Sequence, residues 1–92
     1  MSTSRVVVYS TTHCGFCRRA EDLLRREGIA FDVVDVTHDR RARTTLVERT
    51  NGRRTVPVIF VDDQAIGGYR ELAGMVADGE LNRRLADPVS SS

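Results

Sequence analysis

A chain of 92 residues with 40% hydrophobic content is long enough for one domain with a modest core and leaves no room for a second. Its 14 basic and 13 acidic side chains are interspersed and leave a formal charge of +1, which argues against a nucleic-acid-binding face built by clustering cations. Every basic residue is arginine; a compositional bias accounts for this more simply than a need for bidentate anion contacts.

Before Ser10 the only apolar or aromatic run is Val6-Val7-Val8-Tyr9, too short for the apolar region of a secretory signal. No stretch reaches the roughly 20 apolar residues of a membrane-spanning helix. The expectation is a cytoplasmic chain that engages neither membrane nor nucleic acid, and whose cysteines serve chemistry rather than stapling. The same run predicts a central strand buried on both faces. After a Thr11-Thr12-His13 turn, Phe16, Ala20, Leu23 and Leu24 recur at helical spacing. Glu21 with Arg25 and Asp22 with Arg26 are assigned to the outer face of this first helix, and Gly28 ends it. Phe31 to Val36 predicts a second strand, which the crossover helix makes parallel to the first.

A second helix is predicted from Asp39 to Thr50, with His38 in its N-terminal turn, Ala42, Leu46 and Val47 inward, and Asn51-Gly52 ending it. Val56 to Val61 predicts a third strand with Pro57 at its start, and Asp62-Asp63-Gln64 turns it into a short fourth strand, Ala65-Ile66. Gly67-Gly68 opens a third helix carrying Leu72, Ala73, Met75 and Val76; Glu80 to Leu85 adds a further turn before Pro88 and a serine-rich tail, 87–92, expected to be flexible. The order βαβαββα makes an α/β fold, a four-stranded mixed sheet flanked by three to four helices. Residues 1–92 form a single domain on this reading, with 5–86 as its ordered core.

Both cysteines of the chain lie in His13-Cys14-Gly15-Phe16-Cys17, where a strand gives way to a helix. Thiols at this spacing share one helical turn and can close into a disulfide. A loop so short yields only about 2 kcal/mol of stabilisation, so redox exchange or metal ligation explains the pair better than stapling. Zinc lacks a ligand set, because the only histidines are His13 and His38 and no second cysteine pair exists. A thiol at the reference pKa of about 8.5 is only a few per cent thiolate at neutral pH. A helix N-terminus contributes about 0.3–1 kcal/mol toward the anion and at best about 2, so N–H donors at about 1.5–3 kcal/mol each must add to it. The amides of Phe16 and Cys17 are the predicted donors to Cys14. Cys17, one turn into the helix beside Phe16 and Ala20, is the less accessible sulfur, suited to resolving rather than attacking.

The segment Tyr9 to Cys17, followed by Thr55-Val56-Pro57 and Ile66-Gly67-Gly68-Tyr69, resembles the bacterial dithiol glutaredoxins over residues 5–86. The resemblance implies a thioredoxin-like fold, Cys14 as nucleophile, Cys17 as resolving thiol and partner in the redox disulfide, and glutathione as cosubstrate. It further implies that Pro57 follows a cis bond beside the dithiol, that the Val56 backbone pairs with the cysteinyl part of glutathione, and that the Gly67 and Gly68 amides hold its γ-glutamyl carboxylate. Thr55, Phe16 and Tyr69 complete the groove. The chain departs from the family at Thr11, where a Lys or Arg is usual, at Gly15 in place of proline, and at Arg70 in place of Asp. Arg53 and Arg54 are expected to supply the missing cationic contact, and Glu71 the missing carboxylate. The implied activity is reduction of protein disulfides and glutathione mixed disulfides by a monomer, with a potential of about −200 to −230 mV. Two rivals remain open: a dimer ligating a [2Fe–2S] cluster through Cys14 and bound glutathione, and an electron donor fed by thioredoxin reductase.

Overall fold

Val6–Ser10 forms strand β1 inside a four-stranded sheet ordered β2-β1-β3-β4, in a computed structural model that describes residues 5–50, 52 and 55–86. The strand is parallel to β2 (Asp32–Asp35) and antiparallel to β3 (Val58–Val61), and β3 pairs antiparallel with β4 (Gln64–Gly67). Alternation along the pleat sends Val6 and Val8 into one core and Val7 and Tyr9 toward the other, so the continuous apolar run serves both faces. All four residues of β3 are buried: Ile59 and Val61 join Val6 and Val8, while Val58 and Phe60 face the opposite side.

Helix α1 (Gly15–Arg26) lays Ala20 and Leu24 on the first core. Its end is a Schellman arrangement: Gly28 at φ 70° donates to Arg25 O, and the Ile29 N–H donates to Leu24 O. One sequence expectation fails here. Glu21 is only 5% exposed and meets Arg18 at 2.5 Å and Arg25 at 3.5 Å, so it lies on the buried stripe beside Ala20 and Leu24. Asp22 pairs with Arg25 rather than Arg26.

Strand β2 lies at an edge of the sheet and is shorter than predicted: Phe31 and Val36 fall outside it, although the Val36 N–H donates to Ser10 O at 2.9 Å and Val36 is fully buried. Helix α2 (Arg40–Arg49) starts one residue after the Asp39 cap, whose carboxylate accepts the Ala42 N–H at 2.9 Å; His38 therefore precedes the helix. Leu46 is its one buried residue. The predicted stop at Asn51 lies outside the described residues, but the Gly52 N–H closes on Val47 O at 2.8 Å. The β3–β4 turn needs only Asp62 and Asp63, both at positive φ (50° and 66°), as a twist-matched two-residue hairpin requires. That leaves β4 longer than Ala65-Ile66.

Helix α3 (Tyr69–Ala77) stops before Gly79 at φ 76°, and α4 (Glu80–Ala86) is a separate helix rather than a further turn. Fully buried Leu81 anchors α4. Arg5 secures its end, donating to Arg84 O and Leu85 O at 3.1 and 3.0 Å while pairing with Asp62 at 2.7 Å. The tail 87–92 lies outside the described residues. No helix among the described residues is long and apolar enough to cross a membrane.

Candidate active site

Strand β1 delivers the chain to the mouth of α1, and the loop between them sets one sulfur at the surface. Cys14 is the N-cap residue of α1, in extended backbone geometry, and its Sγ accepts the Cys17 N–H at 3.1 Å. The sulfur thus occupies the place where a Ser or Asp oxygen would satisfy a free first-turn amide. Of the two donors predicted, only the Cys17 amide makes this bond. Cys14 and Cys17 are joined as a disulfide with Cα atoms 5.1 Å apart. Cys14 is half-buried, whereas Cys17 is fully buried, because the helix turns it inward beside Ala20.

The opposite wall comes from the segment before β3. Val56-Pro57 is a cis peptide, Pro57 is buried, and Val56 O lies 3.7 Å from Cys14 Sγ. The disulfide has no S–H to donate, so this is a close contact rather than a hydrogen bond. Thr55 is exposed, while Arg53 and Arg54 lie outside the described residues.

Two side-chain clamps hold the loop that carries Cys14. From α1, Arg18 Nη2 donates to Thr11 O and Thr12 O at 3.1 and 3.3 Å while Nη1 pairs with Glu21. From the far side, the Thr12 N–H donates to Thr37 Oγ1 at 2.8 Å, and the two threonine hydroxyls lie 3.0 Å apart. Thr37 in turn donates its N–H and hydroxyl to Asp35 Oδ1, at 2.8 and 2.5 Å. These two bonds, the hydroxyl's first, hold the Asp35 carboxyl below the usual carboxylate range. The second clamp is absent from the sequence reading, since Thr12 and Thr37 are 25 positions apart and nothing local couples them. Arg18 could have been found, being one turn beyond Cys14 on the helix face that looks back at the loop.

The glycine pair lies at the start of α3. Gly68 caps α3, and its N–H donates to Glu71 Oε1 at 2.6 Å. The amide predicted to receive a ligand carboxylate is thus engaged by the chain's own. Gly67 sits at φ 123°, where an added Cβ would fall 2.5 Å from Glu71 Oε1, so only glycine fits. Phe16 is 56% exposed, 5.9 Å from the Tyr69 ring, with Arg19 5.2 Å above it. Tyr9 points away, packing edge-on against Phe60 at 5.3 Å. His13 is exposed.

The structure therefore sets Cys14 against Cys17 and the Val56 carbonyl, with Thr11 and Pro57 close to them in the chain, and joins Phe16 to Tyr69, which follows Gly67 and Gly68 and precedes Glu71. A half-exposed sulfur paired with a buried one, beside a backbone carbonyl and an aromatic shelf, can exchange disulfides with a bound thiol. No group of three or more His, Cys, Asp and Glu side chains that could hold a metal ion occurs among the described residues.

The glutaredoxin family model matches residues 6–66. The chain is 42% identical over 85 residues to a probable glutaredoxin of Synechocystis, covering 92% of this chain and 78% of that protein. It is 35% identical over 79 residues to glutaredoxin 3 of Escherichia coli, covering 86% and 94%. Among solved structures, the buckwheat glutaredoxin–glutathione complex superposes with a TM-score of 0.80 at 28% identity, covering 91% of this chain and 78% of that one. The holo form of glutaredoxin C1 from Populus tremula x tremuloides does so with a TM-score of 0.79 at 32% identity, covering 94% and 87%. The dithiol at the helix mouth, the thioredoxin-like sheet and these relatives agree: the chain belongs to the glutaredoxin family and is a thiol-disulfide oxidoreductase.

Proposed function

We propose that this protein is a glutathione-dependent reductase of protein disulfides and glutathione mixed disulfides, with Cys14 attacking and Cys17 resolving. The observation that carries the reading is the asymmetry of the two sulfurs: Cys14 Sγ is accessible and accepts the Cys17 amide at 3.1 Å, while Cys17 has no exposed surface. In the reduced protein that amide and the helix end favour a Cys14 thiolate. The thiolate attacks a substrate sulfur, the substrate disulfide breaks, and the departing thiolate takes a proton from solvent. Cys17 then loses its proton to solvent and displaces the remaining substrate thiol, which leaves the Cys14–Cys17 disulfide. One glutathione opens that bridge to a mixed disulfide on Cys14. A second releases it as glutathione disulfide, so two thiols supply the two electrons.

The glutathione complex of the buckwheat relative supports the choice of thiol. The tripeptide would lie between Thr55-Val56-Pro57 and Gly67-Gly68-Tyr69, with Phe16 and Thr11 on the dithiol side, Glu71 near its amine, and Arg53 and Arg54 near its glycyl carboxylate. The cluster reading, in which Cys14 and bound glutathione would ligate iron, competes with the disulfide that Cys17 offers to the same sulfur.

Turnover coupled to glutathione reductase tests the proposal. Cys14→Ser should abolish reduction of every disulfide. Cys17→Ser should keep reduction of a glutathionylated peptide and lose that of a protein disulfide. Retained turnover in Cys14→Ser overturns the assignment, and equal rates with glutathione and an unrelated thiol overturn the glutathione dependence. Replacing Arg53 and Arg54 together with Ala should raise the KM for glutathione about five- to thirtyfold, the loss of one or two charge-assisted contacts worth roughly 1–2 kcal/mol in all.

A further inference from the structure

Beside the dithiol, the outer stripe of α1 and the start of α3 enclose a cleft of about 500 Å3 lined by Arg19, Asp22, Arg25, Arg26 and Tyr69. Its single carboxylate is taken: Asp22 pairs with Arg25 at 2.9 Å, and Arg25 also lies 5.6 Å over the Phe31 ring. Arg19 and Arg26 have no ion pair among the described residues. Arg19 rests on Phe16, which reaches Tyr69 on the other side. A shelf of two aromatic rings, begun two residues after Cys14, thus leads into a cleft with two cations that have no ion pair among the described residues.

Resting on the reading of the site as a protein-disulfide reductase, we propose that this cleft docks an acidic segment of the disulfide-bearing protein substrate. The shelf receives the residues next to the reacting cysteine, and the arginines receive carboxylates farther along. Their spacing gives a register. At about 1.5 Å of rise per residue, Arg19 and Arg26 lie roughly 8 and 18 Å from Cys14 along α1. An extended peptide covers about 3.3 Å per residue and alternates its side chains between faces, so its acids belong about two and six positions from the reacting sulfur. A cationic or neutral segment finds nothing there to exchange for its hydration. A second copy of this chain would bring its own arginines to the same cleft and be repelled.

Synthetic peptides that hold one internal disulfide and carry Glu, Gln or Lys at two and six positions beyond it test the register. The wild-type protein should reduce the Glu peptide with a kcat/KM about fivefold above the Gln peptide. The difference should sit in KM and shrink in 0.5 M salt, as exposed ion pairs behave. The double charge reversal Arg19→Glu with Arg26→Glu should invert the order, so that the Lys peptide becomes the best, while the Gln peptide reports that the dithiol still works. Equal kcat/KM for all three peptides with wild-type protein, or a reversal that slows all three alike, overturns the cleft. Failure of wild-type protein to reduce any of them, or a small uncharged disulfide, overturns the reductase reading itself and is told apart by that control.

Discussion

The proton order in the Asp35 network follows from its chemistry. An ionised carboxylate only accepts, so the Thr37 hydroxyl donates to Asp35, and its lone pairs are left for the Thr12 N–H and the Thr12 hydroxyl. Asp35 thereby orients the loop before Cys14 chiefly through Thr37, with the Thr12 hydroxyl adding to it. Because its folded pKa is lowered, the contribution is complete above the unfolded carboxyl value of about 3.9 and disappears as pH falls through the lower folded value. Asp35→Asn should accordingly melt below wild type at pH 7, with the gap closing as melts are taken to pH values below the usual carboxylate range. At Gly67, alanine should cost at least about 1–2 kcal/mol in urea titrations, because φ 123° is strained for any L side chain. It should also push Glu71 off the Gly68 amide. The cap at Cys14 was legible in the sequence because its donor is three residues away; the Thr12–Thr37 bond was not, since only the fold brings those loops together.

Secondary-structure elements here owe their limits to a few end residues. Gly28→Ala meets no steric obstacle, so its effect isolates the left-handed backbone of the Schellman end; a loss of about 1 kcal/mol is expected in chemical denaturation. Arg5→Ala should act at a distance in sequence, freeing the α4 carbonyls and Asp62 together. A loss of roughly 1–2 kcal/mol, with α4 amide signals shifted most in nuclear magnetic resonance spectra, would reflect bonds to a charged donor partly screened by water. Helical spacing announced α1 and α2, and continuous apolar runs announced both interior strands, because these patterns are set by residues next to one another in the chain. It could not show that β2 would be an edge strand, that Glu21 would turn inward to two guanidiniums, or that Gly79 would divide the last helical stretch. Each of those depends on neighbours far along the chain.

At the scale of the molecule, a radius of gyration of 12.7 Å is close to the roughly 12 Å of a compact chain this long. We propose that residues 5–86 unfold as one unit, and calorimetry should give a single transition. The two faces of the sheet are nonetheless covered unequally. One carries the core shared by α1, α3 and α4; the other has the smaller buried cluster of Leu46, Val58 and Phe60 among the described residues. Rare excursions from the native state should therefore begin on the thin side. In deuterium-exchange measurements the α2 amides should lose protection through openings that leave α1 and α3 shut, and α2 protection as high as that of α1 would contradict this. Since Val56 O faces the sulfur, an opening that starts at α2 would loosen the wall opposite the sulfur before the helix that carries it.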